Sequence, residues 1–262
     1  MSTNSGLDLT ESFPRGLAQP EGSYRFGEDA LLLGSWSARV LDNWIERKKT
    51  RPERVKVAEL GSGCGAALFA LSRMIPEARG LGLEREPALV EAARANAVSL
   101  RLQERLDFRL FKIGEDQVSE PGAYRLVMSN PPWRKIGTGR ETSSRLRRIA
   151  MTRSDNRAFY KCAAELLVSR GFFCLILPMA DFCEFCADIK GTALGVRNVA
   201  PLASFADRNP DRVLICCQKQ ASSDPVFQFP IILYDKIDGK PVPTSVALSL
   251  FPTLNARNTE RT

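Results

Sequence analysis

Three glycines at alternate positions constrain the fold more than any other feature of this sequence. Gly61, Gly63 and Gly65 directly follow the apolar segment 55–60, and a helical pattern at 66–75 follows them. Glycines permit a tight turn and let a bound molecule approach the backbone closely. The segment therefore predicts a strand, a ligand-binding turn and a helix in immediate succession.

Further strand and helix patterns alternate along the chain. A helical pattern begins at Asp29, read as its N-cap, and others cover 66–75, 87–100, 156–169 and 181–189. Strand patterns cover 55–60, 80–84, 106–111, 125–129, 172–177, 213–217 and 231–234. This alternation is typical of a mostly parallel sheet covered by helices on both faces. We predict one doubly wound α/β domain at 24–252, a polar leader at 1–23 and a polar tail at 253–262.

The positive charge of the chain is concentrated in one window. The net charge is +7, and residues 134–157 contain eight Lys and Arg residues but only two acids. A local basic excess indicates a polyanionic partner such as nucleic acid, unless the window is simply a solvated loop. Arg145, Arg147 and Arg148 are the candidate RNA-binding residues.

Composition excludes several classes of chemistry and location. The chain has no histidine, so catalysis must work without an imidazole acid–base group. Its seven cysteines do not form a disulfide framework, and Cys183 and Cys186 lack the second pair that a zinc site would need. We expect no metal. No apolar stretch is long enough to span a bilayer and the N-terminus is polar, so we expect a cytoplasmic protein.

The glycine loop fits two nucleotide cofactors. Gly61, Gly63 and Ala66 match the G-x-G-x-x-A fingerprint of dinucleotide-binding proteins, with the acid Glu84 about 20 residues on. Read instead from Glu59, the loop matches the E-x-G-x-G-x-G pattern of S-adenosylmethionine (SAM) sites. Glycine spacing alone leaves the choice between NAD(P) and SAM open.

Two acids near this loop bear on the choice. Glu59 favours SAM, because a carboxylate can hold the methionine amine but would lie poorly beside a pyrophosphate. Glu84 ends the next predicted strand, where its carboxylate could accept hydrogen bonds from ribose hydroxyls. With Gly61, Gly63 and Gly65, these acids are the candidate cofactor-binding residues.

A second motif follows the predicted strand 125–129. Since ligands of doubly wound sheets lie beyond the carboxyl ends of the strands, Asn130-Pro131-Pro132-Trp133 should face the glycine loop. The Asn130 side-chain carbonyl and the Pro131 backbone carbonyl can accept the two N–H groups of an exocyclic amine and orient its lone pair. Pro132 stiffens the turn with Pro131, and Trp133 offers a face on which a flipped base can stack. The four residues are the candidate catalytic residues.

This motif resembles the [DNS]-P-P-[YFW] motif of amino methyltransferases. From residue 19 to 251, the chain resembles the tRNA1(Val) adenine-37 N6-methyltransferase family, also in segments 24–36, 162–165, 171–178, 212–215 and 231–234. The resemblance implies a Rossmann-like class I methyltransferase fold, with a seven-stranded, mostly parallel sheet and an antiparallel closing strand. It also implies SAM as cofactor and methylation of adenine N6 in tRNA.

The chain departs from the family at a few positions. Lys112 or Ile113 stands where an Asp usually meets the adenine of SAM, and Glu115 or Asp116 could substitute for it. Ile149 replaces a frequent arginine. Guanine N2 methylation in rRNA and glutamine methylation in a protein are therefore alternatives within the class. Outside it, an NAD(P)-dependent oxidoreductase and a non-catalytic RNA-binding module are alternatives.

Overall fold

A mixed β-sheet forms the centre of the protein. The computed structural model describes residues 12–23, 25–131 and 156–254. The strands within these ranges are β1 (Lys56–Leu60), β2 (Arg79–Glu84), β3 (Leu106–Leu110), β4 (Tyr124–Ser129), β5 (Leu167–Pro178), β6 (Leu194–Ala203), β7 (Arg212–Lys219), β8 (Val226–Phe227), β9 (Ile231–Ile232), β10 (Tyr234–Ile237) and β11 (Lys240–Pro243). The sheet has the order β3-β2-β1-β4-β5-β7-β6-β8, and β9 also pairs with β6. A separate hairpin joins β10 and β11.

The strand directions confirm the predicted fold class. β1 to β5 pair in parallel, whereas β7 runs antiparallel to both β5 and β6. The described strands of the sheet number nine rather than the predicted seven. The prediction missed β6, whose Arg197, Asn198 and Pro201 interrupt the apolar pattern. A bulge at Val196/Asn198 accommodates this irregular strand next to β7.

Helices cover both faces of the sheet. They are α1 (Glu28–Lys48), α2 (Ala66–Met74), α3 (Pro87–Ser99), α4 (Asn156–Leu166), α5 (Phe182–Asp188) and α6 (Ser245–Leu250). One hydrophobic core contains buried side chains of α1, α2, α3 and α6, and the other contains those of α4 and α5. This two-sided burial is what the alternation of strand and helix patterns predicted.

The start of α1 differs from its prediction. The helix begins at Glu28 after Gly27, so Asp29 is not its N-cap. Glu28 and Asp29 instead accept hydrogen bonds from the Arg212 guanidinium at 2.9 and 2.8 Å. Burial raises the pKa of Asp29 even though Arg212 acts in the opposite direction. This ion pair fixes the beginning of α1 to the first residue of β7, a long-range contact that local sequence patterns do not reveal.

The boundary between α4 and β5 was also predicted wrongly. The helix ends at Leu166 instead of residue 169, and β5 begins at Leu167 instead of residue 172. Tyr124 of β4 pairs with Leu167, but Leu126 pairs with Phe172, so β5 has additional residues between the two pairs. Such a bulge breaks the alternation from which a strand is predicted.

Both ends of the described chain pack against the domain. Phe13 and Leu17 are buried in the same core as α2 and α3, although they lie in the segment predicted as a leader. Thr253 and Leu254 are buried as well. The division into leader, domain and tail stays a prediction.

The close crossing of α1 and α2 can be tested by a substitution at Gly34, because the sign of its effect on the free energy of unfolding distinguishes close packing from ordinary helix propensity. A Cβ at Gly34 would lie 2.2 Å from the carbonyl oxygen of Ala67 and 2.7 Å from the Cβ of Ala70. Replacing glycine by alanine inside a helix ordinarily stabilises it by about 1 kcal/mol. Here overpacking should dominate, so Gly34→Ala should lower the free energy of unfolding by about 2 kcal/mol. Urea denaturation measures this, and a stabilised variant would contradict the close crossing.

Candidate cofactor and substrate site

The two predicted motifs leave neighbouring strands at the same edge of the sheet. In the parallel pair of β1 and β4, Leu60 lies opposite Ser129. The Ser129 hydroxyl also donates a hydrogen bond of 3.0 Å to the Leu60 carbonyl. The next residues along the two strands are Gly61 and Asn130. The register therefore brings together the glycine loop and the start of the Asn-Pro-Pro-Trp motif.

The conformation of the loop explains its glycines. Gly61, Gly63 and Gly65 all have positive φ angles, at 70°, 54° and 91°. L-residues with a side chain rarely adopt this region. A Cβ at Gly65 would also lie 2.7 Å from the ring of Phe69. The loop is thus a tight turn between β1 and α2 that requires glycine at these positions.

Glu84 is bound directly to this loop. One carboxylate oxygen accepts the Gly63 N–H at 2.8 Å, and the other accepts the N–H groups of Arg85 and Glu86 at 2.8 and 3.1 Å. Burial raises the pKa of Glu84, and these three donors partly offset the increase. The residue was predicted as a ribose ligand; its role in holding the Gly63 amide was missed. The parallel pairing of β1 and β2 is the signal that could have revealed it.

Glu59 occupies the interior below the same loop. Its carboxylate accepts the N–H of Leu68, in the first turn of α2, at 3.1 Å. Since the N-cap Gly65 offers no side-chain acceptor, Glu59 caps this helix from β1. Burial raises the pKa of Glu59 well above its ordinary value, and the charge of Glu84 raises it further. The loop therefore rests on two buried carboxyl groups, an arrangement that a positively charged ligand would stabilise.

The first turn of α4 lies close to the glycine loop. A Cβ at Gly61 would lie 3.5 Å from the Phe159 ring, and one at Gly114 would lie 3.2 Å from the Ala158 methyl group. Phe159 and Ala158 therefore adjoin the loops after β1 and after β3. Sequence reasoning missed both residues, because they lie in an ordinary helical pattern with no motif.

The loop after β3 contains the two acids considered as partners of the SAM adenine. Asp116 accepts the backbone N–H of Lys112 at 2.7 Å, and Glu115 lies 3.6 Å from the Lys112 ammonium group. Both acids are exposed and tied to their own loop. Their role toward a cofactor stays a prediction.

Several predicted site residues lie outside the described ranges. These are Pro132, Trp133, Arg145, Arg147 and Arg148. Of the predicted catalytic residues within the ranges, Asn130 is half-buried and Pro131 is buried. The assigned roles of all these residues stay predictions.

The C-x-x-C pair lies on the short helix α5. Cys183 is exposed and Cys186 is half-buried, and both are free thiols. Within residues 12–23, 25–131 and 156–254, no three His, Cys, Asp or Glu side chains are grouped so as to hold a metal ion. None of the helices in these ranges combines the length and hydropathy needed to cross a membrane.

Comparison with known proteins identifies relatives in sequence and in fold. No protein-family model matches the chain. It is 29% identical over 202 residues to a Klebsiella pneumoniae protein named tRNA1(Val) (adenine(37)-N6)-methyltransferase, covering 76% of this chain and 77% of the relative. A Yersinia pestis protein of the same name is 27% identical over 222 residues, covering 81% of each. The resemblance inferred from the motifs is confirmed over most of the sequence.

Solved structures agree with the observed topology. A predicted O-methyltransferase from Agrobacterium tumefaciens superposes with a TM-score of 0.66 at 19% identity, covering 86% of this chain and 96% of the other. A putative class I SAM-dependent methyltransferase from Listeria monocytogenes gives 0.53 at 12% identity, covering 78% and 68%. The chain has the class I SAM-dependent methyltransferase fold. Sequence and fold agree on an enzyme of the methyltransferase class.

The buried carboxyl groups of this methyltransferase predict a pH dependence. A carboxyl pKa raised on folding contributes stability below the unfolded value, 4.5 for Glu59, and loses it as the pH rises through the folded pKa. The unfolding free energy of the ligand-free protein should therefore decline above about pH 5. Glu59→Gln, which cannot ionise, should flatten this decline.

Chemical denaturation of the ligand-free protein between about pH 5 and about pH 9 measures the effect. Glu91→Gln is a matched control, because Glu91 is an exposed residue on α3. Parallel stability curves for the wild type and Glu59→Gln would show that burial does not perturb Glu59.

Proposed function

We propose that this methyltransferase transfers a methyl group from SAM to the exocyclic N6 of an adenine in tRNA, in the region of position 37. The observation that carries the proposal is the register of β1 and β4, which sets Leu60 opposite Ser129, the residues directly before Gly61 and Asn130. Relatives that match 76% to 81% of this chain bear the name of that reaction. The protein works in the cytoplasm, where it meets its tRNA.

The residues around the glycine loop fit SAM chemically. Ser62 is buried and its hydroxyl has no hydrogen-bond partner among the described residues, so it can serve a ligand. In this proposal the Glu84 carboxylate accepts hydrogen bonds from the ribose hydroxyls, and Glu59 provides the negative charge for the methionine ammonium group. A cationic cofactor would favour the ionised form of both acids, whereas the pyrophosphate of NAD(P) would be repelled by them.

Asn130 and Pro131 orient the acceptor nitrogen. When bound, SAM supplies a methyl group that its sulfonium already activates. The Asn130 amide oxygen and the Pro131 carbonyl accept the two N–H groups of the adenine amine, which directs the nitrogen lone pair toward the methyl carbon. As the nitrogen forms its new bond, these oxygens stabilise the positive charge that develops there. The N–C bond would form as the sulfonium S–C bond breaks, and the methylated, positively charged nitrogen would release one proton to water, so the step requires no imidazole.

The rest of the motif and the basic window bind the RNA in this proposal. Trp133 stacks on the flipped adenine, and Arg145, Arg147 and Arg148 contact phosphates. Incubation with labelled SAM and separate pools of tRNA, rRNA and protein tests the substrate class. Label in an adenine of tRNA supports the proposal, and label confined to rRNA or protein would contradict it.

Asn130 provides the test of the chemistry. Asn130→Ala should lower the rate of methyl transfer by about two to three orders of magnitude, as expected for one preorganised polar contact. SAM affinity should be nearly unchanged, because the residue faces the acceptor. Single-turnover kinetics and titration calorimetry measure the two quantities.

Asn130→Asp is the matched variant, since it retains an oxygen that can accept the amine N–H. It should be more active than Asn130→Ala. Wild-type turnover by Asn130→Ala would mean that the motif is only a turn.

The basic window predicts a salt effect. Replacing Arg145, Arg147 and Arg148 together with alanine should raise the Michaelis constant for tRNA and leave SAM binding intact. The slope of log affinity against log salt should become shallower by about two to three, since each lost phosphate contact removes about one. An unchanged slope with full activity would show that the RNA is held elsewhere.

A further inference from the structure

Asn96 on α3 bridges two segments that are remote in sequence. Its side-chain amide donates hydrogen bonds to the carbonyls of Cys64 at 3.1 Å and Ala18 at 3.0 Å. Its side-chain oxygen accepts the N–H of Ala18 at 2.7 Å. The residue is only 1% exposed. Both amide hydrogens and the carbonyl oxygen of the Asn96 side chain are thus hydrogen-bonded. Asn96 binds both the N–H and the carbonyl group of Ala18.

Ala18 lies in a segment that is itself anchored. We call residues 12–19 the N-terminal strap. Phe13 is 3% exposed, Leu17 is 7% exposed, and the Arg73 guanidinium of α2 lies 5.5 Å from the centre of the Phe13 ring. Gln19 accepts the N–H of Phe26 at 3.0 Å, just before α1. The strap is therefore held against α2 and α3 by apolar burial and joined to the start of α1 by a hydrogen bond.

Cys64 lies between two glycines of the cofactor loop. Its neighbours Gly63 and Gly65 have φ angles of 54° and 91°. Glycines have no Cβ to restrict the backbone, so the loop depends on hydrogen bonds from its surroundings to keep one conformation. Glu84 holds the Gly63 amide from one side, and Asn96 holds the Cys64 carbonyl from another.

We infer that Asn96 is a positioning residue for the cofactor site, which it serves by tying the glycine loop to the N-terminal strap. The inference rests on the proposed function only in naming SAM as the ligand of the loop. The strap then contributes to the cofactor site indirectly, through the hydrogen bonds between Ala18 and Asn96.

The test combines one variant with two readouts. In ligand-free Asn96→Ala, hydrogen exchange of the Gly63 and Gly65 amides should accelerate about tenfold, because their loop loses its anchor on α3. SAM affinity should fall by about five- to tenfold, on the scale of one or two net hydrogen bonds. The turnover number on tRNA at saturating SAM should stay close to the wild-type value. Ala18→Pro, which removes the Ala18 N–H donor but retains the Ala18 carbonyl, should change exchange and affinity in the same direction but less.

Two controls on α3 separate positioning from general stability. Val90→Ala removes buried apolar volume from the same helix and should lower stability without changing loop exchange or SAM affinity. Ser99→Ala removes an exposed side-chain hydrogen bond to Ala95 and should change none of these quantities.

Unchanged exchange in Asn96→Ala would overturn the inference. So would a Val90→Ala variant that loses as much SAM affinity for the same loss of stability. A wild-type protein that binds no SAM would refute the proposed function instead. The exchange comparison, which uses ligand-free protein, would still decide whether Asn96 holds the loop.

Discussion

The parallel pairing of β1 with β4 is the constraint on which the site depends. It sets Leu60 opposite Ser129, and the Ser129 hydroxyl ties the two strand ends together. Because both strands run in the same direction, the loops that follow them emerge at one edge. A shift of one residue would turn alternate side chains to the wrong face and separate the two motifs. The register, more than either motif, thus defines a single site.

Charge in this site is arranged around the glycine loop. Glu59 and Glu84 are buried, and burial raises the pKa of each. Their backbone partners do not neutralise them: Glu59 accepts a helix N-terminal amide, and Glu84 accepts three loop amides. A cation bound beside these acids would favour their ionised form, so the site prefers a cationic ligand. The conformation of the glycine loop and the two buried carboxyl groups both favour SAM as the cofactor.

Sequence reasoning predicted those features that local patterns encode. The strand–turn–helix unit at Gly61 and the strand before Asn130 follow from short-range composition, and the structure has both. The contacts of Arg212 with Glu28 and Asp29 join residues about 180 positions apart, and no periodicity marks them. Asn96 was missed for the same reason, since a polar residue within a helix is usually solvated. Irregular β6 was missed because its proline and charged residue resemble a loop.

The order of strands in the sheet also has a consequence for synthesis on the ribosome. β1, β2 and β3 are neighbours in space and come first along the chain, so they can pair as soon as residue 110 has emerged. β1 nevertheless has an unpaired edge until β4 arrives at residue 124. An unpaired apolar edge can pair with other chains. The edge of β1, the strand that ends in the glycine loop, is therefore open to misassembly with other chains until its neighbour is made.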